Sequence, residues 1–347
     1  MSSSIVGLDI GQTTVRAAEA RLGRGGVVEI KAYREAPLPD GAVRGGEVIE
    51  PTTVATVLKK MWAEAKFTSK KVILGMGDQK VVARDLVMPH VSEIEIKNLL
   101  PLRVQELIPM PVAEAVLDFY PIAEAPATDE GPMVRGLLVA AYADAVTNNV
   151  NAVKRAGLDT VAVDFVPFAL HRSVSAGNEG VHAVVDIGAA TTNVIVSNNG
   201  VPDFVRIIPA GGDDVTRALA NQLEIPRDEA ENLKVIQGLH PEIVPPNDAR
   251  SAGIIVEMTR ELLTSIINTL RYYSSTHDGV KVESVVLTGN GARMRGLPAT
   301  LAHSTGVSVV APAPFSRVRM PKSLADFDVS EALKCGTAFG LAMGVQS

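Results

Sequence analysis

Two short segments hold residue types suited to phosphate and metal chemistry. Val6 to Val15 contains Asp9-Ile10-Gly11-Gln12-Thr13-Thr14, and Ala183 to Val194 contains Asp186-Ile187-Gly188-Ala189-Ala190-Thr191-Thr192. In each, an apolar run ends in Asp-Ile-Gly, passes through small or polar residues and returns to a second β-rich run. Asp-x-Gly between two such runs predicts a hairpin. Glycine in the turn lets backbone N–H groups approach and surround an anion. Thr13, Thr14, Thr191 and Thr192 add hydroxyl donors. Asp9 and Asp186 suit magnesium held through its bound water, since Mg²⁺ keeps several waters and takes only one or two carboxylates. Either segment alone is equally an ordinary turn. Two copies, half a chain apart with matching strands, point to two similar lobes that share one triphosphate.

Two more glycine turns follow in the second half. Gly211-Gly212-Asp213 joins a predicted strand (Asp203 to Ile208) to a predicted helix (Asp213 to Leu223) with Thr216 in its first turn. A helix start offers free N–H groups and a positive dipole end to an anion. An ordinary turn capped by Asp213 has the same pattern. Thr288-Gly289-Asn290-Gly291-Ala292 follows an apolar strand, Ser284 to Leu287. Asn290 tolerates positive φ, so this side-chain-poor turn can lie flat against a base.

The elements around these turns read as mixed α/β. After the first hairpin come a strand (Val27 to Ala32), a turn, a helix (Pro51 to Lys66, with Val54, Val57, Leu58, Met61 and Ala65 as its apolar stripe) and a buried strand, Lys71 to Met76. Residues 81–160 have their own order. A strand runs from Val81 to Met88, and Ser92-Glu93-Ile94-Glu95 opens a helix to about Leu107, with Pro101 predicting a break. Strand Ala115 to Ile122, a Pro- and acid-rich loop (Glu124 to Pro132), strand Leu137 to Tyr142 and helix Ala143 to Ala156 complete it. We read this segment as a subdomain inserted into lobe one. Strand Val161 to Val166 and helix Pro167 to Ser175 bridge to lobe two. There, helix Arg227 to Val235, a loop (His240 to Arg250), a long helix (Ala252 to Tyr273) and a terminal helix (Glu331 to Met343) follow. The division is a lobe-one core at 1–80, joined by connecting helices within 161–178 and 326–347, the insert at 81–160, and lobe two at 179–325.

Composition narrows the partners. The net charge of −6 argues against nucleic acid, whose readers carry a basic excess. The single cysteine, Cys335, cannot form an internal disulfide and reads as a small core residue. No basic-then-apolar leader opens the chain and no run of about 18 apolar residues occurs, so neither signal peptide nor membrane span is expected.

The order of turns and helices resembles the ATPase superfamily of actin, the large heat-shock chaperones and the sugar kinases, over nearly the whole chain. That resemblance implies a ribonuclease H-like, two-lobe fold. It makes the hairpins phosphate loops and residues 288–292 the adenosine loop. In Ala230-Glu231-Asn232-Leu233-Lys234, Glu231 and Lys234 share a helix face; the resemblance assigns them to ribose and base, where the spacing alone fits a solvated ion pair. Arg293 falls where some members stack an arginine on adenine. Within the superfamily the chain is similar to the PilM family, actin-like proteins of type IV pilus assembly related to FtsA. Arg84-Asp85-Leu86-Val87-Met88-Pro89, Ile108-Pro109-Met110-Pro111, Asp118 to Tyr120, Ala156-Gly157-Leu158 before Val163-Asp164, and Ile267 to Tyr273 carry the likeness. Asn290 in place of a usual glycine, Gln12 in place of a small hydroxyl residue, and Pro101 depart from it.

The resemblance implies binding of ATP or ADP with Mg²⁺ between the lobes. It implies a cytoplasmic protein, peripheral at the inner membrane through its partner, whose insert holds the N-terminal cytoplasmic peptide of a PilN-like bitopic membrane protein. Pilus motor or platform proteins and self-association are further partners it allows. Asp164, an acid at a strand end before the bridging helix, is the candidate base for hydrolysis, expected to be slow at most; it equally caps that helix. A small-molecule kinase, an FtsA-like division protein and a scaffold with a vestigial site remain as alternatives. An FtsA-like protein should carry a C-terminal amphipathic helix, and the chain stops at Ser347, soon after the last predicted helix.

Overall fold

The computed structural model describes residues 4–129, 131–175, 179–239, 249–313, 318–324 and 327–346. The loop expected at 240–250 lies mostly outside them, at 240–248. In lobe one, β1 (Ile5–Ile10), β2 (Thr14–Leu22) and β3 (Val28–Pro37) form an antiparallel meander, with β1 and β2 in register from Ile5↔Ala20 to Ile10↔Val15. A short hairpin, β4 (Val43–Arg44) with β5 (Glu47–Val48), precedes α1 (Pro51–Ala65). Proline suits the first turn of α1 because its missing N–H would have no helical partner there. Val54, Leu58 and Met61 are buried on one face of α1, and each large apolar side chain so buried contributes roughly 2 kcal/mol. β6 (Lys71–Met76) then pairs parallel to β1.

The insert begins with β7 (Val81–Pro89) and α2 (Glu93–Arg103). Ser92 and Glu95 cap α2 reciprocally: Glu95 N donates to Ser92 Oγ at 3.4 Å and Ser92 N to Glu95 Oε2 at 3.0 Å. The helix stops at Arg103, short of the expected Leu107, because Pro101 supplies no N–H to its last turn. β8 (Ala115–Thr128) and β9 (Gly131–Tyr142) form a long hairpin where a strand end at Ile122 and a loop were expected. Two features permit it. In the order β7-β9-β8, β8 is an edge, so Pro121 and Pro126 break no second ladder. Irregularities at Pro121/Ala123 and Ala125/Thr128 absorb the misfit. Leu86, Met88, Leu100, Phe119 and Leu138 give this sheet its own core.

The sequence places α3 (Ala143–Arg155) at the end of the insert, yet it packs on α1, with Ala152 and Val153 in the core of lobe one. Its buried Asn149 explains the attachment: Oδ1 accepts from Val48 N at 2.8 Å and Nδ2 donates to Gly46 O at 2.9 Å. β10 (Asp159–Phe165) joins the lobe-one sheet beside β6, and α4 (Val166–Val174) leads to lobe two.

Lobe two repeats the meander as β11 (Val181–Ile187), β12 (Thr192–Asn198) and β13 (Val201–Ile208). α5 (Gly212–Leu223), α6 (Arg227–Gln237) and the long α7 (Ala249–Thr276) follow. β14 (Ser284–Thr288) pairs parallel to β11, and α8 (Leu297–Thr305) and β15 (Ser308–Val310) complete a sheet ordered β13-β12-β11-β14-β15. β16 (Val318–Arg319) returns to lobe one, whose sheet is ordered β10-β6-β1-β2-β3-β16. α9 (Val329–Ala342) crosses α4 between the lobes. The crossing is close: a Cβ on Gly340 would lie 1.8 Å from Ala169 O, so only glycine fits. Among the described residues, no helix is long and apolar enough to cross a membrane.

Candidate functional site

The two Asp-Gly hairpins close with the same turn. Gly11 N donates to Thr14 O at 3.0 Å, and Gly188 N to Thr191 O at 2.9 Å. Antiparallel register then sets Arg16 opposite Asp9 and Asn193 opposite Asp186. Both turns open onto a single cleft of about 440 Å³, lined by Asp9, Gly11, Gln12, Thr13 and Thr14 of one lobe and Asp186, Gly188, Ala189, Ala190 and Thr191 of the other.

Lobe two closes one wall with α6. Lys234 is 5% exposed, and its ammonium donates to Gly212 O at 3.0 Å, Thr216 Oγ1 at 2.9 Å and Glu231 Oε2 at 2.6 Å. Gly289, Asn290 and Gly291 face the same cleft, held by Gly289 N donating to Leu333 O at 2.8 Å on α9. Burial pushes the Glu231 carboxyl up, but the Lys234 ammonium and donors from Lys234 and Thr216 carry it below its ordinary value.

Gly211 and Gly212 play a different part from the one expected. The first amides of α5 are not free for an anion: Gly212 N donates to Gly188 O and Asp213 N to Ala189 O, both at 2.9 Å, while Gly211 N donates to Asp214 Oδ2 at 2.8 Å. Buried amides need partners, and the neighbouring hairpin carbonyls supply them. The start of α5 therefore buttresses the second hairpin; Gly212 still lines the cleft and Gly211 does not.

Three other expected residues also fall outside the lining. Thr192 is fully buried, its hydroxyl donating to Ala210 O at 2.8 Å, because strand alternation turns it inward. Arg293 is exposed and donates to Asn290 Oδ1 at 3.3 Å. Asp164, the expected base, is instead held in an ion pair: Arg172 of α4 engages its carboxylate and donates also to Gly340 O at 3.2 Å. The pair fastens β10 and α4 to α9, so Asp164 is engaged away from the cleft.

Several cleft residues escaped the sequence reading. Arg16 and Asn193 were deducible by counting register back from each turn. Asp78, after Gly75-Met76-Gly77 at the end of β6, carried the local signal of another glycine-rich strand end. Arg227 reaches from α6 to Asp213 and, at 3.4 Å, to Asp40 of lobe one; nothing local announces that span.

The electrostatics are those of crowded carboxylates. Burial pushes the Asp9 carboxyl up against the opposing pull of Arg16. Burial and Asp9 push Asp186 up to about 6, and burial, with a contribution from Asp9, pushes Asp78 up to about 7. Asn193 Oδ1 is buried on this wall and has no hydrogen-bond partner among the described residues. Among the described residues no three acidic, His or Cys side chains converge as a direct ligand set, so Asp9, Asp186 and the orphaned carbonyl oxygen fit a hard divalent cation only through its water shell. The hairpin hydroxyls and turn amides fit phosphate oxygens.

A family model described as type IV pilus assembly protein PilM matches residues 7–346. Cell division protein FtsA of Streptococcus pneumoniae serotype 2 is 27% identical over 299 residues, covering 76% of this chain and 63% of that relative; the chain thus spans less than two thirds of its length. The solved structure of a PilM-PilN type IV pilus biogenesis complex aligns with a TM-score of 0.84 at 26% identity, covering 100% of this chain and 98% of the other. MreB5 of Spiroplasma citri bound to AMPPNP aligns with a TM-score of 0.52 at 13% identity, covering 98% and 95%; at that distance the likeness shows the fold alone. The fold is the actin-like ATPase fold, and the chain belongs to the type IV pilus assembly protein PilM family.

Proposed function

We propose that the cleft binds ATP or ADP with Mg²⁺ and that the insert, together with the lobe-one sheet edge beside it, holds the cytoplasmic N-terminal peptide of a PilN-like bitopic membrane protein. The observation that carries the nucleotide half is the convergence of two equivalent Asp-Gly turns on one cleft whose far wall is Glu231, Lys234 and the 289–291 turn. In this reading Asp9 and Asp186 hold the magnesium through water, and the turns of both hairpins hold the phosphates. Glu231, Lys234, Gly289, Asn290 and Gly291 form the adenosine wall. The metal supplies charge neutralisation for the phosphates; the chain supplies orientation and closure between lobes. Mass spectrometry of the native protein tests it by retained ATP or ADP. Calorimetry showing no Mg²⁺-dependent nucleotide binding would sink it.

For the peptide, the edge of β10, which has no strand beyond it among the described residues, is the best physical candidate. β10 ends the lobe-one sheet, and its Val161 and Val163 are 46% and 43% exposed. An apolar edge strand is a template for an added strand. The rings of Tyr120 of β8 and Phe168 of α4 pack at a tilt with centroids 4.7 Å apart, so the insert flanks the bridging helix that β10 leads into. Docking there places the protein at the inner membrane through its partner. Titration of the tail peptide against wild type and Val163→Lys tests the site; equal affinities remove β10 from it.

A further inference from the structure

The insert is tethered to lobe one at two points, Lys80/Val81 and Tyr142/Ala143, and the structure clamps them together. Tyr142 N donates to Lys80 O at 3.0 Å, and the Lys80 ammonium lies 5.3 Å over the Tyr142 ring. Lys80 also pairs with Glu47 of the small lobe-one hairpin at 3.4 Å. This hinge is the end of the turn Asp78-Gln79-Lys80-Val81, and that turn borders the cleft. Asp78 lines it. Its carboxylate occupies the space over Gly46, where a Cβ would lie 1.2 Å from Asp78 Oδ2. Inside the turn, Val81 N donates to Asp78 O at 3.0 Å and Lys80 N to Asp78 Oδ1 at 3.2 Å. The next residue crosses between lobes: Gln79 Nε2 donates to Ala190 O, in the second hairpin, at 3.4 Å.

One four-residue turn therefore touches the cleft, the opposite lobe's hairpin and the root of the insert. We infer that this turn relays nucleotide occupancy of the cleft to the insert, with Asp78 and Gln79 as positioning residues. The inference rests on the nucleotide reading proposed above. Its two states are Gln79 seated on the Ala190 carbonyl and Gln79 released. Phosphates drawn between the hairpins hold Ala190 toward lobe one and favour the seated state. Because β7 starts at Val81, the last residue of the turn, the seated state steadies β7 and its partner β9. A coupling exists only if nucleotide favours one state over the other.

Hydrogen exchange on the full chain, alone and with ADP or ATP plus Mg²⁺, tests this. In wild type, nucleotide slows exchange in the turns at 10–14 and 188–191 and also in 81–89 and 131–142, the latter by about fivefold, the lower end of ordinary coupling. In Gln79→Ala, whose side chain is exposed and outside the cleft lining, the hairpin response stays and the insert response is lost. An insert response that survives in Gln79→Ala overturns the relay. So does a wild-type insert that stays silent while the hairpins respond. Hairpins that do not respond in wild type end the nucleotide reading itself, and the relay with it.

Discussion

The hairpins β1–β2 and β11–β12 share a turn but not a charge. Each folds with the same glycine amide bond and brings its aspartate to the same cleft. Across the strand, however, Asp9 meets Arg16 at 3.9 Å, whereas Asp186 meets Asn193, whose Oδ1 has no partner among the described residues. Lobe one's carboxylate has a cation directly across its strand; lobe two's has an amide there and feels Arg16 only at longer range. A repeated backbone thus sets two aspartates in different surroundings, an ion pair across the strand in lobe one and an amide across it in lobe two.

The sharpest way to break the comparison is Arg16→Ala. It strips Asp9 and Glu35 of their shared partner and should cost about 3 kcal/mol of unfolding free energy, the lower end for a broken buried pair because Asp9 can protonate. Urea denaturation measures it, and a change within error would mean that Asp9 is not neutralised by Arg16. Next comes the metal. Asp186→Asn should weaken Mg²⁺-nucleotide binding roughly 10–100-fold, and Asp9→Asn by less. Calorimetry that returns equal losses erases the asymmetry. Asn193→Ala removes the donor to Asp186 together with the orphaned carbonyl and should cost about 1 kcal/mol in stability, with a drop in Mg²⁺ affinity as its distinguishing readout.

The smallest expected effect is a pH slope. Asp186 and Asp78 titrate near 6 and 7 in the folded protein, against 3.8 for an ordinary aspartate. The folded state holds those protons more tightly than the unfolded chain. Their stabilisation is complete below about pH 4 and is lost as pH rises through 6 to 7. Ligand-free protein should therefore melt about 2 °C or more higher at pH 5.5 than at pH 7.5. Asp78→Asn should flatten the slope. A melting point that rises with pH in the ligand-free protein would contradict the crowding of these carboxylates.

Much of the fold was legible. Both hairpins, the stripe of α1 and the box capping α2 are local patterns, and the structure keeps each. The full length of the β8–β9 hairpin is hidden in the sequence because Pro121 and Pro126 look like loop residues until the strand is known to be an edge. α8 was not read from sequence, although Pro298 in its first turn and Gly306 after its end marked it. In the site, the glycine turns were visible while Asp78, Arg227 and the true engagement of Asp164 were not. The amides of α5 looked free because the carbonyls that consume them lie on another element.

By itself the sequence determined the repeated Asp-Gly turns, the two α/β halves and the Glu231/Lys234 face. Turn chemistry and hydrophobic period act between residues close in the chain, so they can be read there. Only the tertiary structure decided which carboxylate has a cation, which helix amides are spent, that Gln79 reaches Ala190 and that the root of the insert sits on the cleft. Those outcomes depend on packing two lobes against α4 and α9. A few ångströms there separate an ion pair from an empty contact, and no spacing along the chain encodes that distance.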